Sequence, residues 1–239
     1  MTDILRVEDI ERSFGPVTVL DGVSLTLDAG TLGALIGPNG SGKTTLLRVL
    51  AGILPPTGGT RTYTGPAVSR EIGYLPQQPT FRPSFTARET LTFYATLVED
   101  DPDTALSRVG LGDAGERRVE TLSGGMTRLL GLAQATIGDP PVVILDEPAS
   151  GLDPQMRRRT FAVARELADD GAAVLLSSHD LALVEERSDQ IFVLDGGRLA
   201  DSGTPSALCE RHDAPHLRAV FEEAVAAPDE QVSVIGVSE

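Results

Sequence analysis

The feature that most constrains the fold is a glycine-rich loop between an apolar run and a helix-like run. The loop reads Gly37-Pro38-Asn39-Gly40-Ser41-Gly42-Lys43-Thr44, with Thr45 next. It fits the pattern G-x-x-x-x-G-K-[ST], in which backbone N–H groups wrap a chain of phosphates. Lys43 is the only lysine among twenty basic residues. A compact ammonium suits a tight phosphate cradle better than the flat arginine fork, so we predict nucleotide phosphate binding here.

The segments around this loop have the pattern of an α/β protein. Short alternating or apolar runs predict strands, and a 3.6-residue spacing predicts helices. The predicted strands are Ile4–Ile10, Val17–Leu20, Val23–Leu27, Leu32–Ile36, Val142–Leu145, Ala173–Ser177 and Gln190–Leu194. The predicted helices are Thr44–Ile53, Thr86–Val98, Asp103–Val109, Met126–Ile137, Met156–Ala168 and Leu181–Ser188. This rhythm predicts a largely parallel sheet with helices on both faces.

Composition limits the kind of partner. The net charge of −15 argues against general nucleic-acid binding, which relies on a basic surface. No apolar run approaches the roughly 18–20 residues that cross a bilayer, and the N-terminus lacks a signal-peptide layout. We therefore expect a cytoplasmic protein unless a partner holds it at a membrane. Thirty-five acidic residues beside one lysine resemble proteins of salt-rich cytoplasms; the alternative is an ordinary acidic protein from an arginine-rich genome.

Five further segments follow the glycine-rich loop in a characteristic order. They are Gly73-Tyr74-Leu75-Pro76-Gln77, Leu122-Ser123-Gly124-Gly125-Met126, Val142-Val143-Ile144-Leu145-Asp146-Glu147, Ser150-Gly151-Leu152-Asp153 and Ser177-Ser178-His179-Asp180. Together with the loop they resemble the ATP-binding cassette (ABC) ATPases over roughly residues 4–205. The resemblance implies a P-loop NTPase core with a mainly parallel sheet, an N-terminal antiparallel β subdomain and an inserted helical subdomain.

The resemblance also implies a division of the chain. Residues 1–80 and 140–205 form the ATP-binding core with its antiparallel β subdomain. Residues 81–139 form the helical subdomain that carries the signature motif, and residues 206–239 form a C-terminal tail. The tail contains Cys209, His212 and His216 at ligand-like spacing, but Pro215 keeps the histidines off one regular helical face. A surface tail is therefore favoured over a metal site.

The matched motifs assign roles around ATP and Mg²⁺. Residues 37–45 would bind the phosphates, while Thr44 and Asp146 would hold Mg²⁺, with Gln77 contacting the metal and the attacking water. Glu147 would be the general base and His179 the switch that bonds the γ-phosphate. Gln78 is an alternative to Gln77, which the preceding Tyr-Leu-Pro favours.

Phe14 resembles the aromatic residue that stacks on adenine in this family. The alternative is a core phenylalanine at the end of a strand.

The signature segment implies a second subunit. Ser123 is a predicted N-cap, so Ser123, Gly124 and Gly125 lie at a helix N-terminus that favours an anion. In the family these residues face the ATP bound by another cassette, and Ser150, Gly151, Leu152 and Asp153 form the loop at the dimer contact. The resemblance thus implies a homodimer, with an integral membrane permease as a further partner and no nucleic acid. The location implied is the cytoplasm, peripheral on the inner face of the cell membrane.

Two departures from the family pattern bear on its subclass. Met126 replaces the usual glutamine and Leu129 replaces an arginine. Methionine here resembles exporter-type cassettes that serve separately encoded membrane subunits. Gly131–Ala135 also resembles cassettes for copper-site assembly of nitrous oxide reductase. There are two further alternatives. The first is a non-transport ABC ATPase acting on nucleic acid or ribosomes, which the lack of a tandem cassette disfavours. The second is an ATP-binding adaptor without turnover, which the presence of Glu147 and His179 disfavours.

Overall fold

A computed structural model describes residues 3–226 of the chain, with side chains described for residues 3–222. The strands are β1 (Asp3–Phe14), β2 (Val17–Asp28), β3 (Leu32–Ile36), β4 (Gly58–Tyr63), β5 (Ile72–Leu75), β6 (Val142–Leu145), β7 (Ala173–Ser177), β8 (Gln190–Asp195) and β9 (Arg198–Gly203). The helices are α1 (Lys43–Leu50), α2 (Ala87–Val98), α3 (Pro102–Arg108), α4 (Gly124–Thr136), α5 (Pro154–Asp169), α6 (Leu181–Arg187), α7 (Pro205–Arg211) and α8 (Leu217–Ala226). Within the described range none of these helices is long and apolar enough to span a bilayer.

The large sheet places the carboxyl ends of its parallel strands at one edge. Its order is β5-β6-β7-β3-β8-β9, parallel except for the last pair. Every residue of β3, β6 and β7 is buried, as expected for parallel strands covered on both faces. The loops after β3, β5, β6 and β7 therefore meet at the edge where open α/β sheets bind ligands.

The small sheet is antiparallel, with the order β2-β1-β4. The prediction of two strands separated at Asp21-Gly22 was wrong, because β2 continues through both residues. Gly22 has a φ of +73°, and the Asp21 N–H donates to the carbonyl oxygen of Gly197 at 2.9 Å. The break is a register irregularity within one strand.

The fold class is confirmed: a mainly parallel sheet, an antiparallel N-terminal sheet and inserted helices.

Helix ends follow local capping. The Thr86 hydroxyl accepts the N–H of Glu89 while the Glu89 carboxylate accepts the N–H of Thr86, so this capping box begins α2. The predicted N-cap Ser123 is confirmed, since its hydroxyl accepts the Met126 N–H at 3.2 Å. The strands β4, β5 and β9 have no counterpart among the predictions, because they are short or largely polar.

The expectation of a surface tail after residue 205 was wrong for its described part. Two helices, α7 and α8, pack there, and Leu208, Leu217 and Val220 are fully buried in the main core. His212 Nε2 lies 2.8 Å from the Asp201 carboxylate, while His216 Nδ1 accepts the N–H of Ala219. Across residues 3–226 no cluster of three or more His, Cys, Asp or Glu side chains could hold a metal ion. The rest of the predicted tail, residues 227–239, lies outside the described residues.

The packing of α8 predicts a large stability effect at one position. Replacing the buried Leu217 with alanine is expected to lower the free energy of unfolding by about 2–5 kcal/mol, through lost burial and a residual cavity. The control is Leu97→Ala on α2, where the side chain is 70% exposed and a change within about 0.5 kcal/mol is expected. Urea unfolding measures both variants. Equal losses would contradict the docking of α8 on the core.

Candidate functional site

The glycine-rich loop and α1 form the first wall of the site. Gly42, with a φ of +102°, caps α1, and a Cβ there would lie 2.9 Å from the Val19 carbonyl oxygen. Lys43 is only 7% exposed, and its ammonium donates to the carbonyl oxygens of Gly37 and Pro38, both at 2.8 Å. Burial lowers the pKa of Lys43, while the nearby charges of Glu147 and Asp146 oppose that shift.

Asp146 follows β6 and is 1% exposed. Its Oδ1 accepts the hydroxyl of Ser177 at 3.0 Å, whereas its Oδ2 is buried and has no hydrogen-bond partner among the described residues. The Ser41 hydroxyl in the loop is likewise buried and unpartnered within that part of the chain. Burial raises the pKa of Asp146, and the hydroxyls of Thr44 and Ser177 work against this rise.

These oxygen atoms fit a magnesium ion. Mg²⁺ takes oxygen ligands and is commonly held through one or two carboxylates and substrate phosphates. The unpartnered Asp146 Oδ2 supplies a carboxylate, and Thr44 lies close enough to influence it.

Glu147 connects three loops of the sheet edge. The Glu147 Oε2 atom accepts a hydrogen bond from Gln77 Nε2 at 3.0 Å. The Glu147 Oε1 atom lies 3.0 Å from His179 Nε2. Its backbone has a φ of +48°, in the left-handed region that L residues rarely adopt. The Glu147 N–H donates to the Ser177 hydroxyl at 2.8 Å. The structure thus brings together the predicted base, switch and glutamine, and it is Gln77, not Gln78, that reaches Glu147.

A cleft of about 340 Å³ opens between the loop and these side chains. Its lining comprises Val19, Asn39, Gly40, Gly42, Lys43, Thr44, Thr45, Gln77 and Glu147. Pockets of this size are typical of small-molecule sites. The phosphate loop, the glutamine and the glutamate therefore share one cavity.

The signature residues present free helix-start donors away from this cleft's lining. Ser123 and Gly124 are exposed at the N-terminus of the thirteen-residue α4. A Cβ on Gly125 would lie 2.8 Å from the Met156 sulfur, so the Met156 side chain would have to move to admit a larger residue. In the neighbouring loop Ser150 and Gly151 are exposed, Leu152 is buried, and the Asp153 carboxylate caps α5 by accepting the Met156 N–H at 2.9 Å.

Phe14 lies at the end of β1 and is 47% exposed, so it is not a core residue. The Arg12 guanidinium lies 4.6 Å from the centre of its ring, a cation–π contact. Phe14 thus presents an accessible aromatic ring at the end of β1, with Arg12 over one face.

Sequence reasoning missed Ser177 and Arg128 as contacts of the site. Ser177 stood within a quoted motif without a role, although its hydroxyl joins Asp146 to the Glu147 backbone. Arg128 donates to the Glu147 carbonyl oxygen at 2.6 Å. A cation three residues after Gly125 of the signature segment is the signal that could have drawn attention to it.

The parallel sheet, the lysine-bearing loop at its carboxyl edge and the acidic pair after β6 define a P-loop NTPase. The family model described as "ABC transporter" matches residues 20–150. The chain belongs to the ABC transporter family and is an ATP-binding cassette of that family.

Curated relatives and a solved structure agree with this assignment. The linearmycin resistance ATP-binding protein LnrL of Bacillus subtilis is 32% identical over 222 residues, covering 87% of this chain and 71% of that protein. The Nod factor export ATP-binding protein I of Burkholderia lata is 37% identical over 216 residues, covering 84% and 71%. A solved ATP-binding subunit of an ABC transporter superposes with a TM-score of 0.83 at 26% identity, covering 92% of this chain and 99% of that one.

Proposed function

We propose that this protein is the ATP-hydrolysing subunit of an exporter-type ABC transporter and energises a separately encoded membrane permease. The observation that carries the proposal is the Glu147 carboxylate, held by Gln77 and His179 at the mouth of the cleft that contains Lys43. A carboxylate held in this way can polarise a water beside a bound γ-phosphate, which a binding-only adaptor would not need.

The loop would hold ATP by its phosphates. Backbone N–H groups of residues 37–45, except Pro38, which has none, and the Lys43 ammonium contact the β- and γ-phosphates, with Lys43 exchanging its two carbonyl partners for phosphate oxygens. Thr44, Asp146 and Gln77 would hold Mg²⁺, which neutralises charge developing on the phosphates. The exposed ring of Phe14 stacks on the adenine.

The reaction is water attack on the γ-phosphorus. Glu147 accepts a proton as the water oxygen bonds to phosphorus, and the bond from phosphorus to the β–γ bridging oxygen breaks with its electron pair left on ADP. His179 donates a hydrogen bond to a γ-phosphate oxygen and so holds the transferred group. The products are ADP and inorganic phosphate.

A second copy of the chain would complete each site. The exposed donors at Ser123, Gly124 and Gly125 bind the γ-phosphate held by the partner, since a helix N-terminus favours anions. Ser150, Gly151, Leu152 and Asp153 lie beside this loop and form the contact between the two copies. Residues 1–80 with 140–205 act as the ATP-binding core, and residues 81–139 present the signature to the other subunit.

The permease would dock near the end of β5. A groove of about 410 Å³, lined by Thr80, Phe81, Arg82, Pro83, Phe85, Thr90, Phe93 and Tyr94, follows Gln77 in the chain. Phe93 is 63% exposed on α2, and exposed apolar patches mark interaction sites. The names of the two relatives, one for resistance and one for export, support an exporter. The protein would thus be cytoplasmic and peripheral at the membrane. Adaptation of its acidic surface to a salt-rich cytoplasm stays a prediction.

The test is recovery of a membrane partner. A double variant, Phe93→Asp with Leu97→Asp, is expected to reduce association with the permease by more than tenfold while the free subunit keeps its ATP hydrolysis. Burying two charges at an apolar contact without partners is costly. Affinity purification from detergent-solubilised membranes measures the association, and Ile53→Asp, at another exposed apolar position, is the control. Recovery of ribosomes, DNA or a copper-site assembly protein without a permease would contradict the transport proposal.

A further inference from the structure

A partly buried arginine outside the proposed catalytic set contacts the backbone of Glu147. Arg128 lies one turn into α4, and its Nη1 donates to the Glu147 carbonyl oxygen at 2.6 Å. The next residue, Leu129, is buried in the core instead. Successive helix residues are rotated by about 100°, so only position 128 of these two can aim a cation at this carbonyl.

The contact fixes one end of an unusual backbone conformation. The N–H of Glu147 is bonded to the Ser177 hydroxyl, and its carbonyl oxygen accepts both Arg128 and the Ser150 N–H, so a side chain contacts each flanking peptide group. Between these bonds φ is +48°. Such a conformation persists where its surroundings determine it.

Burial disfavours the charge of Arg128, and two nearby carboxylates favour it. The carboxylates of Glu147 and Asp146 are its nearby charges, and they oppose the lowering of the Arg128 pKa that burial causes. A guanidinium stays protonated in proteins and offers several N–H donors in a rigid plane. The hydrogen bond to Glu147 is therefore charge-assisted and directional.

We propose that Arg128 is a positioning residue for ATP hydrolysis: it holds the backbone turn at Glu147 that directs the carboxylate toward Gln77 and His179. The proposal rests on the proposed function, because it assigns Arg128 an effect on the base and not on ATP binding. The contact also joins Glu147 to α4, the helix whose N-terminal end carries the signature residues Ser123–Gly125.

The first test separates turnover from binding. Arg128→Met is expected to lower kcat for ATP about 10- to 100-fold, because a misplacement of a catalytic group by about 1 Å can cost this much. KM and the nucleotide dissociation constant are expected to change less than about twofold. Arg128→Lys, which can still donate to the carbonyl, is expected to recover part of kcat.

The matched control is an arginine from another segment that contacts the C-terminal end of the same helix. Arg70 is also partly buried and also donates to backbone carbonyls, those of Gln134 and Ile137, but it does not contact Glu147. Arg70→Met is expected to lower the melting temperature as much as Arg128→Met does, with little change in kcat. Equal losses of kcat in the two variants would assign Arg128 a structural role only and overturn the proposal.

A double-mutant cycle supplies the decisive measurement. If Arg128 acts through Glu147, adding Arg128→Met to Glu147→Gln lowers the residual single-turnover rate no further. A multiplicative loss, or a wild-type kcat in Arg128→Met, would overturn the inference while the proposed function stands. A wild-type protein that does not hydrolyse ATP would overturn both. If Arg128→Met does not fold, Arg128→Lys is used in the same cycle with the same criteria.

Discussion

Glu147→Gln is expected to reduce ATP hydrolysis by about 10²–10⁴-fold while ATP still binds, since general base catalysis contributes about this factor. An amide cannot accept the proton that leaves the attacking water. The amide is nearly isosteric, and its oxygen can still accept the hydrogen bond from Gln77. Phosphate release measures turnover, and binding of a fluorescent ATP analogue measures affinity.

The same variant tests the two-subunit arrangement. With ATP and Mg²⁺, Glu147→Gln is expected to accumulate as a dimer in light scattering, because the nucleotide proposed to join the two copies is no longer consumed. Glu186→Gln, an exposed glutamate on α6, serves as the control and should match the wild type. Wild-type turnover in Glu147→Gln would show that another group is the base.

Lys43→Met is expected to weaken ATP binding by at least about 100-fold and to remove measurable hydrolysis. Each hydrogen bond to a charged group contributes roughly 1.5–3 kcal/mol, and 1.4 kcal/mol is a factor of ten in affinity. Methionine retains the apolar stem that packs in the loop, but the Gly37 and Pro38 carbonyl oxygens lose their donor, so the free energy of unfolding should fall by about 1–3 kcal/mol while the fold stays intact. Calorimetric titration with ATP and urea unfolding measure the two quantities.

Lys43→Arg separates the effect of the positive charge from that of the shape of the side chain. The charge is retained, but a planar fork does not fit where the ammonium bonds to the carbonyls of Gly37 and Pro38. We expect arginine to restore little binding. Full restoration of ATP binding would mean that a positive charge is the only requirement at position 43, and that lysine has no advantage over arginine there.

The elements of the fold that were predictable are those with strong local signals. The buried strands before the glycine-rich loop and before Asp146 are short, apolar and bounded by turn residues, and their predicted bounds agree with the structure. The capping hydroxyl of Ser123 likewise acts within four residues. Such features depend on neighbours in the chain, which a sequence displays directly.

The missed elements depend on distant partners. Strand β4 begins with two glycines and lies at the edge of its sheet, so its pairing with β1 has little apolar pattern. Helices α7 and α8 bury only a few residues, of which Leu208 and Leu217 are separated by a turn and a proline. Their burial becomes evident only when α6 is in place.

The same reason explains the contacts missed in the site. The hydrogen bond from Arg128 to Glu147 joins residues nineteen apart, and that from the Glu147 N–H to the Ser177 hydroxyl joins residues thirty apart. Motifs indicated which segments meet at the sheet edge. They did not indicate which side of α4 faces the glutamate, because that rotation is set by the burial of Leu129 and its neighbours.

The backbone turn at Glu147 gives two consecutive acids opposite surroundings. Asp146 faces inward and is sealed from solvent, whereas the Glu147 side chain keeps 15% of its surface open at the cleft. On a regular strand the side chains of adjacent residues also point to opposite faces of the sheet. Because helices pack on the sheet here, each carboxylate would then be buried between sheet and helices. One left-handed residue at the strand's end thus places a buried carboxylate, suited to holding a metal ion, directly beside a carboxylate that faces the cleft.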